Sequence, residues 1–286
     1  MSTENFIPTV WSARLLQNLN NAHVYAGLCN RDYEGEIAAL GDTVKINAIG
    51  RVTIGNYAKN TDISDPETLT DAQTTLVIDR AKYFNFQVDD VDRAQQKPKV
   101  MDAAMQEAAW GLRDVVDQDL AALYSEAATA NKLGSDASPY VFTGGSAKDP
   151  YDVLVDLGVV LDDNNVPADG RWVVVPNWYH GLLQKNNKFV AATAQGENRL
   201  MNGIIGRAAG FDVYKSNNVT KGGSGSDVYR MMAGHRLAWS YAQQILETNA
   251  YRPEKRFADA VKGLMVYGRK VVRPTCLAVC FAQKPG

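Results

Sequence analysis

The sequence predicts an α+β fold. Three observations carry this: paired strand-like segments over residues 42–90, a long amphipathic stretch over 98–130, and α/β units from 149 that end in β-rich segments. Of 286 residues, 45% are hydrophobic, enough for a large core in one or two domains.

Residues 1–41 read as an N-terminal arm. Trp11, Leu15, Leu16 and Leu19 fall at helical spacing, with Thr9 or Ser12 as caps, and "NRDYEGEIAALGD" (30–42) reads as loop. An arm that presents apolar residues ahead of a compact domain docks on something.

Residues 42–90 read as a β-hairpin. In its first arm Val44, Ile46, Ala48, Val52 and Ile54 alternate with polar residues. In the second, Leu76, Ile78, Arg80, Lys82, Phe84, Phe86 and Val88 share one face, with two cations in its middle. The turn "NTDISDPETLTDA" (60–72) carries Pro66 and several acids. Each arm of about 15 residues extends about 50 Å, close to the diameter of a compact chain of this length. A ribbon crossing the core would bury its charges at high cost, so it is expected to project. Two strands alone are marginal in water, so its apolar face is expected to be substantially buried only against a neighbouring molecule.

Residues 98–130 predict a helix of about 50 Å. Pro98 suits its first turn, and Met101, Met105, Ala108, Leu112, Val116, Leu120, Leu123 and Ala127 form its packing stripe. From 149 the pattern becomes α/β: a helix opening at Asp149–Pro150, a buried strand "RWVVVP" (171–176), a second helix after Pro176, and a glycine-rich turn at 220–227. Two strands follow within 228–247, and a long β segment broken at Pro274 ends the chain.

The residues supply little for catalysis. His23, His180 and His235 are scattered, none with a second ligand at metal-binding spacing. "GGSGS" (222–226) lacks the Lys-Ser/Thr ending of a phosphate loop, and the glycines at 203, 206 and 210 lack dinucleotide spacing. Asp89, Asp90 and Asp92 have no supporting ligand. Extended-strand spacing puts the Cα atoms of Cys276 and Cys280 about 13 Å apart, too far for a disulfide. No catalytic, metal or cofactor set is assigned, and no cofactor is expected. A net charge of −2 gives no basis for tight binding to nucleic-acid phosphates. No stretch reaches the roughly 20 apolar residues of a membrane span, and "MSTENFIPTVWSARLLQN" lacks a secretory apolar core.

Three stretches in order carry a resemblance: "GDTVKINAIGRVTIGNY" (41–57), "NGIIGRAAGFDVYKSNNV" (202–219) and "AYRPEKRFADAVKGLMVYGRKVVRP" (250–274). Together with the element order they resemble the major capsid proteins of tailed bacteriophages, the HK97 fold, over nearly the whole chain. The resemblance implies an arm at 1–41, an extended loop at 42–95 lying across a neighbouring subunit, and a spine helix with peripheral domain at 96–148. It implies an axial domain at 149–237 and a C-terminal return to the peripheral domain at 238–286. It further implies pentamers and hexamers of an icosahedral shell around double-stranded DNA, held non-specifically. The implied partners are a portal and separate scaffolding or decoration proteins, and the implied location is the virion, with assembly in the host cytoplasm. Under this reading Lys45, Arg51, Lys59, Arg80 and Lys82 on the ribbon, and Asp62, Asp65, Glu67 and Asp71 at its turn, are candidate contacts with opposite charges on adjacent subunits. Phe84, Phe86 and Trp11 complete the candidates. An encapsulin-type nanocompartment shell is the alternative on the same fold; an α/β enzyme with an unrecognised site is the alternative from another class.

Overall fold

The computed structural model describes residues 24–33, 40–49, 54–57, 59–60, 62, 71–89, 100–145, 147–186, 206–222, 227–255 and 258–285. The expected N-terminal helix at Trp11–Leu19 lies outside them. Strands β1 (Thr43–Ile49) and β2 (Asp71–Val77) form an antiparallel ribbon, in register from Thr43 opposite Val77 to Ile49 opposite Asp71. Strand β3 (Arg80–Asp89) does not continue that ribbon. It pairs with β11 (Ala258–Val271), which pairs in turn with β10 (Trp239–Tyr251), giving a three-stranded antiparallel sheet.

The segment expected to be one long strand therefore changes partners midway. Ile78 still bonds the first arm, its N–H to Asp42 at 3.0 Å and its carbonyl to Gly41 at 2.8 Å, and from Arg80 the partner is β11. No residue is inserted, so the period of two survives the switch. Leu76 and Ile78 are buried, Arg80, Lys82, Phe84 and Phe86 are half-buried, and the residues between them face solvent. The alternation was read correctly, but its cover was not. Leu76 and Ile78 are buried within their own subunit, because the ribbon's root folds back onto the three-stranded sheet.

The long helix α1 (Val100–Ala121) has 22 residues, so it is about 33 Å long, shorter than expected. Its stripe is as the spacing requires: Met105, Leu112, Val116 and Leu120 are buried. The helix gives way to a 3₁₀ turn (Ala122–Glu126) as Leu123 and Tyr124 turn inward. Tyr124 meets Phe281 edge-on at 6.3 Å, and the Arg230 guanidinium lies 4.7 Å over its ring.

The larger sheet runs β4 (Lys132–Leu133), β12 (Leu277–Gln283), β9 (Val228–His235), β5 (Arg171–Val175), β7 (Phe211–Lys215), β6 (Arg207–Ala208), and β8 (Lys221–Gly222) pairs β9. Every residue of β5 is buried, as the apolar run Trp172–Val175 implies, and the Arg171 guanidinium at its start is paired with Asp162 at 2.7 Å. Helix α2 (Pro150–Asp163) starts on a cap: the Asp149 carboxylate accepts from the Tyr151 N–H at 2.8 Å, with Pro150 at the first position. It buries Val153, Leu154, Leu157 and Leu161. Helix α3 (Asn177–Lys185) follows Pro176 and buries Tyr179 and Leu183. Cys29, Cys276 and Cys280 are buried free thiols.

Two tryptophans join the sheets. Trp172 of β5 stacks on Trp239 of β10 with centroids 5.0 Å apart, and Tyr25 closes edge-on at 6.2 Å. The Trp239 indole N–H donates to the Leu28 carbonyl at 3.2 Å, which ties in the N-terminal turn. Trp172→Ala would open a large cavity where the sheets meet, and should cost about 3–5 kcal/mol. Urea unfolding checks this: the midpoint should fall with little change in slope.

Candidate assembly interface

The projecting ribbon needs a rigid root, and the sequence supplies one from small and apolar residues. Val44 and Ile46 of β1 pack with Leu76 and Ile78 over Ala242 of β10 and Val266 of β11. Contact this close requires Gly268. A Cβ there would lie 2.4 Å from the Val77 carbonyl oxygen and 2.7 Å from Ile78 Cδ1. A second glycine serves β3: Gly263 stands opposite Phe84, whose ring fills the place of its side chain.

Beside the root sits a charged clasp. Arg80 Nη1 lies 3.3 and 3.4 Å from the carboxylate oxygens of Asp119 on α1. The Tyr267 hydroxyl of β11 donates to the same carboxylate. Burial, then the bond to Asp119, pushes the Tyr267 hydroxyl above the usual phenol range, so it remains a donor. Burial, then the Arg80 charge, holds Arg269 below its usual range. Lys270 reaches Glu126 at 3.6 Å, adding a further pair between β11 and the 3₁₀ turn that follows α1.

These contacts revise several expectations. Arg80 is engaged by its own subunit's helix, because the strand that carries it lies against α1. Phe84 and Phe86 stack 6.1 Å apart and pack against the subunit's own core. Lys82 is half-buried on that same face. Lys45, Lys59 and Asp62 are exposed, as a contact role requires. Asp71 closes the ribbon's register opposite Ile49. Trp11, Arg51, Asp65 and Glu67 lie outside the described residues.

The sequence reading missed the projecting end. Ile54 is 95% exposed and Tyr57 is 76% exposed, beyond the last pair among the ribbon's described residues. Ile54 read as one more inward strand residue, and nothing local marked it as exposed. Tyr83, 78% exposed, faces outward from β3.

A cleft of about 380 Å³ opens elsewhere, where α1 faces the carboxyl ends of β5 and β7. His180 on its wall is held below the usual imidazole range by burial and by Lys215. Burial pushes the thiols of Cys29 and Cys280 up, so neither is an activated nucleophile. Among the described residues, no three His, Cys, Asp or Glu side chains converge to hold a metal.

Comparison with known proteins places this architecture. A family model described as "Phage capsid protein" matches residues 53–280. A solved structure from Mycobacterium phage Che8 is 30% identical, with 90% of each chain covered and a TM-score of 0.67. The capsid structure of cyanophage P-SCSP1u is similar at 16% identity, covering 87% of this chain and 85% of that one, with a TM-score of 0.69. The capsid of Ralstonia phage GP4 is similar at 15% identity, covering 90% and 87%, with a TM-score of 0.68. No curated protein matches.

Two substitutions probe the root. Gly268→Val should leave the subunit folded by circular dichroism while lifting the ribbon, and hydrogen exchange at Val44, Ile46 and Leu76 should quicken at least about fivefold, from a strain of about 1–3 kcal/mol. Asp119→Asn keeps the shape but removes the charge that Arg80 and Tyr267 share. It should lower unfolding stability by about 1–2 kcal/mol, and Arg80→Ala combined with it should cost less than the sum of the two.

Proposed function

The chain belongs to the phage capsid protein family, and from that membership we propose how it builds its shell. It is a major capsid protein with the HK97-like fold, and its copies form the capsid of the virion. In our reading the copies gather as pentamers and hexamers of an icosahedral shell that encloses double-stranded DNA. The division into arm, extended loop, peripheral domain and axial domain follows the boundaries set out from the sequence with two exceptions: Arg80–Asp89 works as part of the subunit's own three-stranded sheet, and the last strand, Leu277–Gln283, lies beside β9 in the larger sheet instead of returning with 238–271. The protein acts by assembly rather than by turnover. A portal, and separate scaffolding or decoration proteins, are its partners, and assembly takes place in the host cytoplasm.

One observation carries the reading. The family match spans residues 53–280, and within it Ile54 and Tyr57, which follow the first strand of a firmly rooted ribbon, are left uncovered by their own subunit. Such an end gains from a neighbour's surface. Its charges point the same way: Lys45, Lys59 and Asp62 are exposed, free to steer encounter and set register between copies. A net charge of −2 suits a wall that contains DNA without gripping it.

Negative-stain microscopy of the purified protein tests this. Closed shells or rings of subunits are expected, and a uniform monomer at high concentration would overturn the reading. Replacing Lys45, Lys59 and Asp62 together with alanine should reduce shell yield and flatten its salt dependence, read by sedimentation over a range of ionic strength. An unchanged yield at every salt concentration would remove the steering role.

A further inference from the structure

The cleft beside α1 takes no part in rooting the ribbon, and its walls are mostly polar. We propose that it is a binding site for a neutral sugar, a mono- or disaccharide in size. The proposal goes beyond the shell reading and does not depend on it.

The position of the cleft follows from topology. Strands β5 and β7 run parallel, so both carboxyl ends finish on one edge of the sheet. Val175 ends β5 and leads through Pro176 into α3, while Lys215 ends β7 and leads into residues 216–218. Small ligands gather outside such strand ends, where the connections turn away. Here α1 closes the opposite side and leaves a cavity of about 380 Å³, in the range that holds a small organic ligand.

Charge selects the class of ligand. Arg113 and Lys215 on the walls stand against Asp114 and Asp117, so the formal charges cancel. Burial and Lys215 hold His180 below the usual imidazole range, so it adds no charge at neutral pH. An anion or a cation would meet repulsion as well as attraction there. A neutral ligand avoids that conflict, and the walls offer it both donors and acceptors. Asn177 Nδ2 donates to Asn217 Oδ1 at 2.6 Å. This fixes both amides and leaves Asn177 Oδ1 and Asn217 Nδ2 free to bond a ligand. Asn218 is held the same way, donating to Asp114 at 2.8 Å and keeping its own carbonyl oxygen as an acceptor. Hydroxyl groups both donate and accept, so neighbouring hydroxyls on a sugar ring match a set of fixed amides. Trp110 of α1 supplies the remaining surface. It is 50% exposed, and the Arg113 guanidinium 5.2 Å over its ring steadies it. The C–H face of a pyranose is apolar and weakly positive, which suits the negative face of an indole.

Saturation-transfer NMR on the full chain tests the site. The probes are glucose, maltose, cellobiose and N,N′-diacetylchitobiose, with glucose 6-phosphate as the charged control. At least one disaccharide should bind, with saturation strongest at its ring C–H protons. Trp110→Ala should weaken that binding at least about tenfold, the loss of one hot-spot aromatic, with partial recovery in Trp110→Phe. Asn217→Ala removes an exposed side chain and should weaken it at least about threefold, the loss of one hydrogen bond. Circular dichroism of both variants should match the unsubstituted chain. Retention on amylose, cellulose or chitin, with elution by the matching disaccharide, would assign the site to units of a glycan chain. Binding of a free disaccharide without such retention would assign it to a free sugar. Failure of every sugar to bind at millimolar concentration would overturn the inference. So would binding that survives unchanged in both variants, or glucose 6-phosphate bound at least about tenfold more tightly than glucose, which would mark an anion site instead.

Discussion

A two-stranded ribbon buries too little surface to hold its shape in water, and this subunit is organised around bracing one. The brace is local and dry. Val44, Ile46, Leu76 and Ile78 lie over Ala242 and Val266, at a distance that only glycine at 268 permits. The next residues of the chain, from Arg80, are sewn into the same three-stranded sheet. The ribbon therefore leaves its subunit from a fixed direction. That fixity matters for assembly, because a projecting element with a wandering root would lose entropy each time it docked.

The brace works only if the sheet beneath it is itself held. Asp119 does part of this, drawing Arg80 from β3 and Tyr267 from β11 onto one carboxylate of α1. The Trp172–Trp239 stack does the rest, joining the three-stranded sheet to the larger one through a contact in which each indole is almost fully buried. The ribbon's root is thus tied to α1 and, through the three-stranded sheet, to the larger sheet.

How much was legible beforehand differs by element. The buried strand at 171–175, the Asp149–Pro150 helix start and the stripe from Met105 to Leu120 were readable, because each depends on neighbours a few residues away. The inward face at 76–86 was readable too, and the switch of partner at Ile78 left it unchanged. The clasp was not. Arg80 and Asp119 are 39 positions apart, and Asp119 and Tyr267 are 148 apart. Nothing in either neighbourhood marks them as partners, so Arg80 and Phe84 read as surface for another molecule although their own subunit engages and half-buries them.

Periodicity, capping residues and the order of elements were determined by the sequence itself, since backbone geometry alone decides which side chains share a face. The resemblance in three ordered stretches was enough to name the family. What covers each face was decided only by the tertiary structure, because that depends on which distant segment arrives and how closely its backbone can approach. Gly268 and Gly263 look alike as letters, yet one admits a strand's carbonyl and the other a phenylalanine ring. The exposure of Ile54 and Tyr57 belongs to the same class, since no local pattern records it.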